Sequence, residues 1–148
     1  MSCLGFLTAA QREALAASSA AGAPLSTFAS PAASPGKTRR VRSLAGSADA
    51  RIRESAALSA HAPHDVLTVL AGDPISSVRA CVARNAGAGP LLLRRLSGDP
   101  EAVVRAWVAA NPQVTDDVLQ LLIGDADPSV RAVVEWAGRW PAQEGGTR

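Results

Sequence analysis

The chain has no tyrosine, two phenylalanines and three tryptophans, so aromatic residues make up 3% of its 148 positions. Strands draw on aromatic and β-branched side chains, and their scarcity beside so much alanine and leucine argues against a sheet-rich fold. Two cysteines, Cys3 and Cys81, are too few for a disulfide framework or for a four-thiolate metal site within one chain, and they fit a reducing compartment. No apolar stretch approaches the roughly 20 residues that a membrane span needs. The start, Met1 to Ala10, has no Lys or Arg ahead of its short apolar patch, unlike a secretory leader. These absences point to a cytoplasmic chain with no membrane partner. Net charge is only +2, yet 47% of residues are apolar, which excludes a fully disordered chain. A chain of this length buries roughly 68–70% of its unfolded surface, enough for a core of its own.

What the sequence does have is a period. Leu44, Leu70, Leu96 and Leu122 stand 26 residues apart, and the lines they open align without a gap. Every line carries Gly at its third position (Gly46, Gly72, Gly98, Gly124) and Arg at its tenth (Arg53, Arg79, Arg105, Arg131). Each Arg follows Ile52, Val78, Val104 or Val130. Within a line, Asp73-Pro74 or Asp99-Pro100 reads as an N-cap before a proline at the first helical position. Val78, Cys81 and Val82, or Val104, Trp107 and Val108, then form an i, i+3, i+4 apolar stripe. That helix ends near Asn85 or Asn111, ahead of Gly87-Ala88-Gly89 and Pro112. A shorter helix starts near Pro63, Pro90 or Thr115 and ends where the line's glycine is expected in a left-handed conformation. Neither helix buries its stripe alone, so the units must stack.

The matched columns in Leu70 to Asn85 and Leu96 to Pro112 carry Leu-Ala, Asp-Pro, Val-Arg, Val-Ala and Asn-Pro elements. Through them the chain, from Leu44 to about Trp140, resembles the leucine-rich repeat variant family, a relative of HEAT repeats. The resemblance implies an all-α, right-handed α-solenoid of about four 26-residue two-helix repeats. An iron–sulfur centre is held by a cysteine cluster in a founding member of that family. Only Cys3 lies in the N-terminal part here, so no cofactor is implied.

The resulting organisation is an N-terminal helical segment or degenerate cap over 1–29, a Pro/Ser/Gly-rich and basic linker over 30–43, the repeats over 44–140, and a disordered tail over 141–148. Thr8 to Gln11 has capping-box spacing, so a helix is expected from about Ala9 to Ala20. Leu4, Phe6, Leu7, Leu15, Leu25 and Phe28 are its apolar supply.

Four groups of residues invite a role. The first is the Arg column, which could form a basic stripe for phosphates. The preferred reading is a structural ladder of Asp73, Arg79, Asp99, Arg105, Asp125 and Arg131, in which each guanidinium bridges the turns of adjacent units. Ser47 replaces Asp in the first line, where Asp49 is the available substitute. The second group is a basic arm, Lys37, Arg39, Arg40 and Arg42, suited to nucleic acid or an acidic partner but read first as a solvated hinge or helix lead. From Leu44 onward ten basic residues face twelve acidic ones, too little surplus for duplex binding, so nucleic acid is an unfavoured partner. Gly36-Lys37-Thr38 fails as a phosphate loop, because Pro31 stands where the first glycine is needed and no strand precedes it. The third group is Trp136 and Trp140, which either fold over Val133, Val134, Leu119 and Leu122 as a self-made cap or form an interface.

The fourth group is the chemistry-bearing residues, and they are scattered. His61 and His64 flank a turn without a third ligand, Cys81 falls on an apolar face, and Asp116-Asp117 sit where a helix dipole favours them. No catalytic, cofactor or metal site is expected. HEAT-like enzymes, such as certain DNA glycosylases and bilin lyases, are generally larger. The functional expectation is a non-catalytic scaffold for an unidentified protein, a monomer or a weak dimer through its C-terminal edge. The alternative is a nucleic-acid-associated protein using residues 37–42.

Overall fold

A computed structural model describes residues 34–139 together with Ala10 and Glu13. The chain divides into two units, Met1–Ala32 and Ala33–Arg148. In the first, Ala10 and Glu13 are helical and exposed. The rest of the expected N-terminal helix, Cys3, Trp140 and the tail over 141–148 lie outside the described residues.

The second unit is all-helical among the described residues: α1 (Pro35–Ala45), α2 (Ala50–Leu58), α3 (His64–Leu70), α4 (Ser76–Arg84), α5 (Pro90–Leu96), α6 (Ala102–Ala109), α7 (Asp116–Ile123) and α8 (Pro128–Arg139). The helices alternate between two sets. α2, α4, α6 and α8 each pack along the next member of their own set, while α3, α5 and α7 pack between the flanking members of the first. α1 packs on both α2 and α3. α3 and α5 have seven residues each, too few to persist alone in water, so packing is what holds them.

The periodic apolar columns are the core. Val78, Val82, Val104, Val108 and Val130 are fully enclosed on the long helices, and Leu67 and Leu93 on the short ones. The stripe is narrower than its spacing suggests. Cys81 is only half-buried, and Trp107 is 38% exposed with Arg84 of α4 stacked 4.9 Å over its ring. The columns are also imperfect at their N-terminal end, where Ile52 is 38% exposed.

Three local expectations change. Pro35–Ala45 forms α1 where a linker is expected through residue 43. Ser34 caps it by accepting from the Lys37 N–H at 3.3 Å, Pro35 occupies the first turn, and Val41 is buried with Leu44 and Ala45 against the core. The Asp-Pro pairs do not cap α4 and α6. Asp73 and Asp99 instead accept from the N–H two residues on, at Ile75 (2.9 Å) and Glu101 (3.0 Å), and the helices start later, at Ser76 and Ala102. These are Asx turns, which leave the carboxylate free to face the neighbouring unit. Finally, the line glycines are not left-handed. Gly46 and Gly124 have φ of −88° and −93°, and Asp73, Asp99 and Asp125 close the turns with N–H bonds to Leu70, Leu96 and Leu122. Tight right-handed turns satisfy the last carbonyl groups that a Schellman cap would otherwise take.

A second ladder accompanies the core. Asn85 is 8% and Asn111 3% exposed. The Asn85 amide donates to the carbonyl oxygens of Ala57 (2.6 Å) and Ser59 (3.0 Å), and its oxygen accepts from the Gly87 N–H at 2.7 Å. Asn111 repeats the pattern one unit later, donating to Ala83 (2.6 Å) and Asn85 (3.0 Å) and accepting from Gln113. Each amide therefore satisfies the end of the preceding long helix, and no buried side-chain N or O among the described residues lacks a partner. Asn111→Ala strands two buried carbonyls and is expected to lower stability by about 1–3 kcal/mol. Urea melts of Asn111→Ala beside Gln113→Ala check this, with the exposed Gln113 near-neutral.

Candidate functional site

The Arg column is the most extensive polar feature of the described residues. Arg53 Nε and Nη2 hold Asp73 at 2.6 and 3.0 Å, Arg79 holds Asp99 at 2.7 and 2.9 Å, and Arg105 holds Asp125 at 2.7 and 2.9 Å. Each is a two-bond fork from one unit to the next, 20 residues on. The remaining Nη1 of Arg79 and of Arg105 donates back to the carbonyl oxygen of its own turn's Asp, Asp73 and Asp99, at 2.9 and 2.7 Å. Arg53 makes the same bond to Ser47. One guanidinium thus ties the backbone of its own turn to the carboxylate of the next. These carboxylates are about 5% exposed at the side chain and the guanidinia 13–15%, so solvent screens the pairs only partly.

The ends of the column differ from its interior. Arg131 donates to the carbonyl oxygens of Asp125 and Ala126, and meets no carboxylate among the described residues. Asp49 does not replace the missing acid of the first line; it caps α2 by accepting from the Arg51 N–H at 2.9 Å.

The forks shift the titration of their members. The hydrogen bond from Arg53 holds Asp73 below the usual carboxylate range, and that from Arg105 does the same for Asp125. At Asp99 burial pushes upward, but the Arg79 bond and the Glu101 N–H outweigh it and the net shift is down. Groups depressed in the folded state contribute stability that is complete above their unfolded value and lost as pH falls through the folded one.

The other sequence-selected residues are spread out. Lys37, Arg39, Arg40 and Arg42 lie on α1 and form no free arm. The Lys37 amine sits 3.5 Å from His61 Nε2, Arg42 pairs with Asp65 at 3.1 Å, and Arg39 and Arg40 are exposed. His64 is exposed at the start of α3, and no group of three or more metal-ligating side chains occurs among the described residues. The Cys81 thiol is pushed up by burial and by Glu54, away from the thiolate form a nucleophile needs. Trp136 is 57% exposed on α8, and Trp140, the second ring of the cap-or-interface alternative, lies outside the described residues. A groove of about 480 Å³ lies between α7 and α8, lined by Leu119, Ile123, Val134 and Gly138 with Asp116 and Glu135 at its rim. No helix of the described residues is long and apolar enough to cross a membrane.

The outward face of the short helices is the feature that sequence reasoning missed. Successive helices there meet in a 23-residue register. Arg42 of α1 pairs with Asp65 of α3, and Arg94 of α5 pairs with Asp117 of α7. In the aligned lines the equivalent columns between these two pairs hold Thr68 and Leu91, and Leu91 is 84% exposed, the most of any large apolar side chain described. Val69 and Leu121, at 72% and 59%, stand on either side in the line order. The signal was in the aligned lines, where Leu91 occupies the column that holds Asp65 and Asp117. No known protein family, curated protein or solved structure matches the chain.

Arg79→Ala leaves Asp99 without its fork and is expected to cost about 1.5–3 kcal/mol, whereas Arg94→Ala, at an exposed pair, moves the midpoint little. Denaturant melts across pH add a second readout. Wild-type stability holds above about pH 5 and falls below about pH 4, and Asp99→Asn shows a shallower fall.

Proposed function

We propose that the described residues form a right-handed α-solenoid of the leucine-rich repeat variant type, and that the chain is a non-catalytic scaffold for another protein. The observation that carries the reading is the recurrence of one inter-unit fork at one spacing: Arg53 to Asp73, Arg79 to Asp99, Arg105 to Asp125. A contact repeated identically along a chain builds a structure by stacking, and stacking generates long surfaces on which successive helices present side chains at regular intervals. The polar residues of the column are consumed in holding units together, which leaves binding to the exposed faces. A cytoplasmic chain, monomeric or weakly dimeric through its C-terminal edge at Trp136, is the setting this reading supplies.

The nucleic-acid alternative draws on α1. Two of its four cations are engaged, Arg42 by Asp65 and Lys37 beside His61, which leaves Arg39 and Arg40 as a small electrostatic footprint. Affinity capture on the immobilised full chain tests the proposal. Retention of the same protein in replicate, displaced by soluble chain and insensitive to nuclease, is the expected result. Nuclease-sensitive retention, weakened by salt and by alanine at positions 37, 39, 40 and 42, contradicts it.

A further inference from the structure

We propose that the outward face of α3, α5 and α7 is a docking strip for an extended acidic segment carrying two apolar anchors. The inference rests on the scaffold reading and assigns its surface and the chemistry of its partner. Val69, Arg95 and Leu121 occupy the same column of successive lines, 26 residues apart, and all three are exposed. Arg95 makes none of the ion pairs that occupy Arg42 and Arg94. Its Nη2 lies 3.5 Å from where a side chain on Gly72 would begin, so the guanidinium leans over the turn that follows Val69. A free cation therefore stands between two exposed apolar groups, with Leu91 beside it on the same helix.

The flanks of this strip are closed. The Arg42–Asp65 and Arg94–Asp117 pairs link α1 to α3 and α5 to α7, and among the described residues no ion pair links α3 to α5. An apolar centre bordered by satisfied polar groups is the arrangement in which burial by a partner yields the most, because the rim keeps water out at little cost. Arg94 of α5 reaches Asp117 of α7, so neighbouring short helices lie within the span of one Arg–Asp pair, on the order of three residues of extended chain at roughly 3.3 Å each. The column order Val69, Arg95, Leu121 thus selects an apolar residue, an acid three positions on, and a second apolar residue three beyond it. Charge complementarity fixes the acid: among the described residues Arg95 is exposed on this strip with no ion pair, while Asp65 and Asp117 on the same face are already engaged by Arg42 and Arg94. A phosphate backbone fits less well, because Asp65 and Asp117 stand in line along the same face and the exposed groups there are aliphatic, with no ring for a base to stack on.

The probe is a fluorescein-labelled peptide with the core Leu-Ser-Ser-Glu-Ser-Ser-Leu, titrated by anisotropy into the full chain, beside a version with Lys in place of Glu and a labelled single-stranded oligonucleotide. We expect saturable binding of the acidic peptide, at least tenfold weaker with Arg95→Glu and with Leu91→Asp, and unchanged with Val103→Asp on the exposed side of α6. Arg95→Glu should then prefer the Lys peptide, a swap that no folding defect can produce; circular dichroism of each variant checks the fold. Binding indifferent to both Arg95→Glu and Leu91→Asp overturns the inference, as does an oligonucleotide that displaces the peptide and is itself lost with Arg95→Glu. Selection from a random heptapeptide display library separates this inference from the scaffold reading beneath it. Binders of another chemistry, competing for another face, overturn the strip and leave the scaffold standing, whereas a library yielding no binder contradicts both.

Discussion

The fork between an arginine of one unit and an aspartate of the next is the contact on which the rest of this structure depends. Its geometry fixes three things together. The Asx turn at each Asp sets where the following long helix begins, the two-bond fork sets the distance and rotation to the preceding unit, and the return bond to the turn's own carbonyl oxygen stops the arginine from sampling other rotamers. A part-buried pair gives little net stability when compared with well-packed apolar residues. What it supplies is register, because a one-residue slip leaves a carboxylate and a guanidinium unpaired in a poorly hydrated site. The asparagine amides of Asn85 and Asn111 do the same at the opposite end of each long helix. The valine and leucine columns between the two ladders then provide the bulk of the burial without having to specify alignment.

This division of labour explains which exposed positions are free to vary. Columns inside the stack repeat almost unchanged, with Val78, Val104 and Val130 in one and Leu70, Leu96 and Leu122 in another. The outward columns of the short helices do not: Asp65, Leu91 and Asp117 share one, and Thr68, Arg94 and Gln120 another. In the scaffold reading we propose, the uniform columns join units and the varied ones face a partner. The apolar junction at Leu91, set between two ion-paired ones, is such a particular feature.

Much of the architecture was legible because period, proline placement and apolar columns are local signals that survive in one dimension. The 26-residue line, the two helices per line and the inter-unit role of Arg79 and Arg105 could be read directly, whereas Arg131, expected in the same ladder, bonds only its own turn and meets no carboxylate among the described residues. α1 was not legible, since Ser30 to Gly36 is rich in residues that also make loops. Only packing of Val41 against α2 and α3 decides between a basic linker and a capped helix. The Asp-Pro turns were misplaced for a related reason. A cap and an Asx turn use the same residues, and the choice is made by the arginine 20 positions upstream. Asn85 and Asn111 were visible as helix stops but not as bridges, because a hydrogen bond to a carbonyl 26 or 28 residues earlier has no sequence signature beyond the recurrence of the asparagine itself. The short-helix face went unread because exposure, unlike period, requires knowing which columns meet.

If identical inter-unit contacts define the structure, units are interchangeable, and removing one whole line should leave the forks and columns of the others able to re-form. Excising residues 70–95 joins Val69 to Leu96 in register and brings Arg53 opposite Asp99. Chemical denaturation of that shortened chain, followed by far-UV circular dichroism, tests the account most directly. It predicts a folded protein of unchanged helicity per residue, with one cooperative transition at a lower midpoint and a smaller denaturant slope. A chain that loses its helical signal or its cooperative transition contradicts it, because the stack would then depend on contacts peculiar to the excised unit rather than on the one repeated along the chain.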